Sequence, residues 1–514
     1  MTNVFRYDCD EKISDCKNND FNCIDKKHPV PGNSILSTGN GSLGPRTIDF
    51  TGGVSTIDIN QAIASTTIDT SCNKNLKWLI NFNGILNITA NNTDMFKFKF
   101  TLTSICKNNK VSNTLAIFTF DFLYVLATNQ DSRTLNFEYS HCDELCEDCC
   151  TYILELTSIQ STNASILNFD INSGLISILG VEYQKSNYFS DIHNKNSGNA
   201  LLCVNSNIYY SSNLTFTVPN YLITLNQPIA VINLDTTLMK KPKLRLKFTG
   251  ILNIVTMNIG VTPTLYFTLF KLCKGSRVRT PVTTFAFTNI IANVVSNSET
   301  LNFEYSPCDE NCFECCTYII ELTSITNGGQ PGTMTLSINN GTFSALAFDC
   351  CLNRSNKLIG NSIFSSNVGS FYFGPIDIPA DRQLTQTLNL PIVSTTIDIS
   401  NLKCPKFLID FNGIIHNDSS STATTTYNFT LYRTCKNSNV LQLLTSFVYN
   451  SINLLTLNQS NALKFEYSDN ENVCGDCCTY ILELTSITAS DHIFIYDIGI
   501  SKAVLSILAV ESCN

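Results

Sequence analysis

The chain has 514 residues, of which 43% are hydrophobic and only 15% charged, with a formal net charge of −9. At about 150 residues per domain that length predicts roughly three domains, and the acidic balance excludes nucleic acid as a partner, because phosphates call for a basic patch. Five His and one Trp leave little for His-centred catalysis, while 23 Cys are far more than an ordinary cytosolic enzyme carries.

In chain order, residues 1–43 read as an extended arm. It carries Cys9, Cys16 and Cys23, then Pro29, Pro31 and several Gly. The start has no apolar core of the kind a leader needs, and no run of 18 apolar residues follows, so neither a signal peptide nor a membrane span is expected. Cysteine usage calls for oxidation, which a protein made in the cytoplasm and oxidised after its cell lyses would meet.

Three copies of one unit follow. CCTYILELTSI at Cys149–Ile159 returns as CCTYIIELTSI at Cys315–Ile325 and CCTYILELTSI at Cys477–Ile487, offsets of 166 and 162 residues. Ahead of each stands LNFEYS (Leu135–Ser140, Leu301–Ser306) or LKFEYS (Leu463–Ser468), and earlier still FNGIL, FTGIL or FNGII from Phe82, Phe248 and Phe411. Between these lies F-T-L-x-x-x-C-K, ending at Cys106–Lys107, Cys273–Lys274 and Cys435–Lys436. With a looser opening match at Ala64–Ser71, Ala230–Thr237 and Val393–Ser400, five ordered matches predict tandem homologous domains at 44–186, 200–351 and 358–514.

Each unit reads as strand nearly throughout. Phe96, Phe98, Phe100 and Leu102 alternate with polar residues, as do Leu135, Phe137 and Tyr139, and Tyr152, Leu154 and Leu156, each pattern implying one buried face. The apolar run over 115–127 has the bias of a central strand. About eight strands per unit, separated by Asn/Ser/Gly turns, predict an all-β chain of three antiparallel β-sandwich or jelly-roll domains behind the arm. Open sandwich edges without a systematic Lys or Pro guard invite an added strand.

The cysteines are the candidate functional residues. Each unit has a cluster: Cys142, Cys146, Cys149 and Cys150; Cys308, Cys312, Cys315 and Cys316; Cys474, Cys477 and Cys478. C-x3-C-x2-C spacing suits a thiolate metal site, but the third copy lacks the first Cys and no His or second pair closes the set. No metal or cofactor is expected. Instead Cys106, Cys273 and Cys435, at matching strand ends, are each in a position to bridge to one member of the cluster in their own unit, closing a loop of about 40 residues. Adjacent Cys do not easily bond each other, so each CC pair should face two partners. An odd total leaves Cys9, Cys16, Cys23 and Cys513 as candidates for bonds between subunits.

Recurring acids carry no clear chemistry. Glu138, Glu304 and Glu466 recur with Glu155, Glu321 and Glu483, and a glycosidase would need such a pair about 5–5.5 Å apart around a cleft. The plainer expectation is outward-facing or cross-strand-paired residues. Asp69, Asp235 and Asp398 recur as well, one acid per unit, thin support for calcium. No His recurs at an equivalent position, so no enzyme is expected.

The CxxCC-T-Y-[IL]-[IL]-E-L-T-S-I block behind L-x-F-E-Y-S resembles a family of uncharacterised Cys-rich domains of clostridial spore-formers, over residues 64–514. The whole chain is also similar in architecture to subunits of bacterial endospore appendages. That resemblance implies jelly-roll subunits made without a signal peptide in the mother cell, bonded through Cys-bearing N-terminal connectors. The arm would take the connector's role. The expected protein is thus a structural subunit of a disulfide-cross-linked spore-surface fibre, appendage or coat layer, its partners being copies of itself and other spore-surface proteins. The alternative is a surface adhesin or carbohydrate-binding sandwich.

Overall fold

The computed structural model describes residues 28–30, 32–53, 55–69, 76–92, 94–107, 111–124, 131–143, 149–163, 165–182, 184–186, 199–205, 214–218, 222–237, 239, 242–256, 263–274, 276, 278–288, 295–306, 315–327, 332–349, 362–373, 376–378, 385–400, 402, 405–419, 424–436, 440–452, 459–469, 477–489 and 493–511. Among them the regular structure is all strand.

The first unit holds β1 (His28–Val30), β2 (Ser34–Asp49), β3 (Thr56–Asp69), β4 (Leu76–Ala90), β5 (Asp94–Cys106), β6 (Asn113–Tyr124), β7 (Asp131–Asp143), β8 (Cys149–Ser161), β9 (Ile166–Glu182) and β10 (Gln184–Ser186). The second holds β11 (Ala200–Asn205), β12 (Leu214–Val218), β13 (Ile223–Asp235), β14 (Pro242–Thr256), β15 (Pro263–Cys273), β16 (Thr280–Thr288), β17 (Val295–Tyr305), β18 (Cys315–Asn327) and β19 (Gly332–Asp349). The third holds β20 (Ser362–Phe373), β21 (Ile376–Ile378), β22 (Thr385–Asp398), β23 (Pro405–Ser419), β24 (Thr424–Cys435), β25 (Gln442–Ile452), β26 (Gln459–Asp469), β27 (Cys477–Ala489) and β28 (Ile493–Glu511).

Every unit is an antiparallel jelly roll. In the first, one layer runs β6-β5-β8-β3 and the other β2-β9-β4-β7, joined into one eight-stranded sheet through the Gly41–Ala64 pairing. The second and third repeat the two layers as separate sheets, β13-β18-β15-β16 with β11-β19-β14-β17, and β22-β27-β24-β25 with β20-β28-β23-β26. Residues 34–43, counted with the arm on composition, belong to the first unit: they pair along β9, and Leu36 there has counterparts in Leu202 and Phe364. The apolar run read as a central strand is the edge strand β6. It is apolar because Phe118, Phe120 and Phe122 all point into the sandwich.

Local sequence explains the shared shape. Asn60, Asn226 and Asn389 take positive φ at matching bulges in β3, β13 and β22, a conformation Asn tolerates better than most residues. The repeated Gly84, Gly250 and Gly413 sit where a Cβ would crowd the Phe two residues earlier, at 3.1 to 3.4 Å. That Phe belongs to an aromatic cluster built alike in each core. Phe137 lies against Phe118 (4.7 Å between centroids), Phe100 (4.9 Å) and Phe82 (6.0 Å), and Phe303 and Phe465 repeat the arrangement. Truncating the hub with Phe137→Ala should cost about 3–5 kcal/mol, read as a lower denaturant midpoint. A loss below about 1 kcal/mol would show that the cluster is not what holds the two layers together.

Candidate functional site

In antiparallel strands, residues opposite each other without mutual hydrogen bonds bring their Cα atoms closest. Cys106 and Cys150 occupy such a pair: they are register partners on β5 and β8, and the next pair out is closed by Lys107 N–H donating to Cys149 O at 2.9 Å. They form a disulfide with Cα atoms 4.0 Å apart, and Cys273–Cys316 and Cys435–Cys478 repeat it at the same distance. Each bridge ties together the strands of one outer layer. Strand alternation turns the first Cys of each CC pair to the other face, where Cys149, Cys315 and Cys477 are half-buried and stand outside these three bridges. Cys9, Cys16, Cys23, Cys146, Cys308, Cys312, Cys474 and Cys513 lie outside the described residues, as does the side chain of Cys142. Among the described residues, no group of three or more His, Cys, Asp and Glu is placed to hold a metal ion.

The acid pairs do not form clefts. Glu155 lies on β8 of the outer layer and Glu138 on β7 of the inner layer, with the apolar core between them. Glu321 instead pairs with Arg279 beside it. Asp235 and Asp398 accept hydrogen bonds from Thr237 N–H and Ser400 N–H, closing turns. The side chain of Asp69 lies outside the described residues.

Glu138 and Glu466 overturn the outward-facing or cross-strand-paired expectation, whereas Glu304 does pair across to Arg245 on the neighbouring strand β14. The alternation implied one buried face, yet Glu138, Glu304 and Glu466 are 3%, 4% and 5% exposed, because the second face of each inner layer packs against the other two units. Glu138 pairs with Lys247 Nζ at 2.9 Å and accepts from Thr249 at 3.4 Å, both in the second unit. Glu304 accepts from Asn412 and Ser506 of the third unit. Glu466 accepts from Asn81 at 3.0 Å, from Asn83, and from Ser177 at 3.4 Å, all in the first unit. The receiving positions are equivalent: Asn81, Lys247 and Asp410 precede the FNG or FTG Phe, and Asn83, Thr249 and Asn412 follow it. The contact therefore runs from first unit to second, second to third and third back to first, a closed ring about a pseudo-threefold axis.

Other contacts repeat the cycle. β6 lies beside β17, β16 beside β26 and β25 beside β7, so sheet edges that looked open are covered by the next unit. Ile85 of the first unit joins the third unit's core, and Ile251 of the second joins the first's. Thr134 donates to Ala462 O and Thr300 to Thr134 O, each at 3.0 Å. Toward the disulfide end the axis is plugged by an apolar cluster of matched triplets: Leu36, Leu202 and Phe364; Leu179, Leu346 and Leu508; Val181, Phe348 and Val510.

Charge breaks the symmetry. Where the other units have Leu79 and Leu408, the second has Arg245, which binds its own Glu304 at 3.0 Å through two nitrogens and also pairs with Asp410. Lys464 lies 3.7 Å from Asp410. Burial alone would raise the Asp410 pKa, but Lys464, Arg245 and Lys247 outweigh it and hold it down to about 2. Burial pulls Lys464 down to about 7 and pushes the Glu466 carboxyl up, its donors being the neutral Asn81, Asn83 and Ser177. The sequence carries a trace of this junction, one Glu per copy at an equivalent position, but the alternation does not say what that Glu faces.

Residues 33–181, 202–348 and 374–510 each match DUF4489, a domain of unknown function. The chain belongs to the DUF4489 family. Among solved structures, this triple DUF4489 chain is similar to the CBM22-1–CBM22-2 tandem domain of Paenibacillus barcinonensis Xyn10C, at 13% identity over 58% of this chain and 90% of that one, TM-score 0.15. It is also similar to a protein of Broad Bean Stain Virus (9%, 62% and 95%, 0.18) and to a triple jelly roll of an archaeal virus (13%, 92% and 91%, 0.12). These likenesses carry no functional weight. No curated protein matches the chain.

The third-to-first contact of the DUF4489 ring, Glu466 on Asn81, Asn83 and Ser177 beside Leu79, is a neutral version of the second-to-third contact. Arg245→Leu alone should cost about 3–5 kcal/mol, since it leaves Glu304 and Asp410 buried without their shared cation. Adding Asp410→Asn rebuilds the neutral set and should recover most of that loss in denaturant unfolding. No recovery would mean that Arg245 acts through packing rather than charge. A carboxyl held below its ordinary 3.8 contributes stability above that pH and loses it as pH falls through about 2. Asp410→Asn should therefore flatten the stability profile between about pH 4 and 2.

Proposed function

We propose that the chain is a structural subunit of a disulfide-cross-linked spore-surface layer, fibre or appendage, made in the mother cell and joined to neighbouring copies through its N-terminal arm. The observation that carries this reading is the placement of the sulfur. Each unit carries the same cross-strand disulfide beside a half-buried Cys, at one end of the ring. The arm enters there too, since β1 pairs with β10 directly after β9. The buried acids are taken up in joining units, which suits a rigid block better than a reaction centre. The likeness to Cys-rich domains of clostridial spore-formers and to endospore appendage subunits supports the same reading.

Electron microscopy of spore-surface fractions, labelled with an antibody to this chain, tests the proposal. Labelled fibres or sheets should resist detergent and fall apart with detergent plus reductant, and non-reducing gels should show ladders that collapse to 57 kDa. Deleting residues 1–27 should leave folded particles that no longer form the ladder. A clean monomer without reductant, or label confined to vegetative cells, would overturn the reading, the latter in favour of an adhesin.

A further inference from the structure

We propose that the inner face of each repeat is a self-recognition surface whose partner is another copy of the repeat, so that the three units hold their ring without the covalent linkers between them. The three interfaces are equivalent yet chemically different. The acceptor is always the Glu of the FEYS segment, and its partners on the next unit change from Lys247 and Thr249 to Asn412 and Ser506 to Asn81, Asn83 and Ser177. A surface that served only to fill space between tethered domains would not need the same buried carboxylate met three times by the residue that follows the FNG or FTG Phe, Thr249, Asn412 or Asn83. A carboxylate with no partner is costly to bury, so Glu138 and Glu466 tie their own unit's inner face to occupation by the next, while Glu304 holds Arg245 of its own unit where that cation also meets Asp410 of the third.

The same residues explain why the ring runs in one direction. Reversed, Glu138 would face Asp410, with Arg245 still tied to Glu304 on the second unit. In the observed order Glu138 meets Lys247 instead, and Arg245 sits between the one pair of facing acids, Glu304 and Asp410. The second unit thus fixes the order by supplying two cations at positions where the first has Leu79 and Asn81. Contact between unlike faces that closes after three steps leaves no inner face exposed.

The full-length protein tests this with a specific protease site placed within 187–198 and another within 350–361. After cleavage, with reductant present so that no disulfide bridges the cuts, the three pieces should separate in denaturant but migrate together at 57 kDa in native sizing. Dissociation into pieces of about one third that mass would overturn the proposal. A second chain carrying Glu138→Ala, Glu304→Ala and Glu466→Ala tests the recognition element, with circular dichroism before cleavage confirming its strand content. Once cut, its pieces should associate at least about thirtyfold more weakly, the lower end of the cost of losing one buried charged partner. If the cut triple variant holds together as tightly as the unmutated chain, the glutamates are not the keys. Because these readouts need neither spores nor the arm, the result stands apart from the fibre reading.

Discussion

A carboxylate taken out of water must find donors or cations where it is buried, and the recurring inner-layer Glu of each unit finds donors on the next domain. That constraint governs the rest of the structure. The inner layer of each jelly roll is covered on both sides, by its own aromatic core and by its two neighbours. Its strands therefore read apolar on one face and polar on the other while both faces are dry. Glu138, Glu304 and Glu466 are the fixed points, and each obliges the next unit to lie at one height and one angle.

The axis is layered. An apolar plug around Leu179, Leu346 and Leu508 lies toward the disulfide end, a layer of acids, amides and cations follows, and Thr134 with Thr300 lies beyond. The plug supplies non-directional burial, which would accept many arrangements of three similar sheets. The charged layer discriminates among them, since this order sets Glu138 on Lys247 and Arg245 between Glu304 and Asp410. Arg245 stands at the border of the two, a cation where the other units continue the plug with Leu79 and Leu408.

Much of the fold was legible in the sequence because period-2 alternation and internal repetition are local signals. The strands through Phe96–Leu102 and Tyr152–Leu156 lie where the alternation puts them, and their apolar members are buried. The junction was not legible for a physical reason: alternation records which residues differ from their neighbours, not whether the polar face meets water or another domain. Glu138 beside Phe137 looks the same in either case. Arg245, Lys247 and Asp410 were missed because they differ between copies, and attention to what repeats passes over them. The residues that differ are the ones that give three copies of one unit distinct places.

The ring also decides which surfaces of the units stay open. Its inner faces are consumed, and the edge strands β6, β16 and β25 are covered by the next unit. Outer layers and the two ends remain, and the ends are unlike. Ser34, Asn199 and Ser362, where the three units begin, meet near the apolar plug and are hydrogen-bonded to one another. From there the register of β3 with β8 and of β4 with β9 places the cross-strand disulfides at that same end. Strand β1, the described residues that begin the three units, and the cross-strand disulfides thus share one pole of the particle. A bond made through that sulfur joins poles, whereas one made through an outer layer joins flanks. The glutamates order the units around the axis, and the disulfides make its two ends chemically unlike.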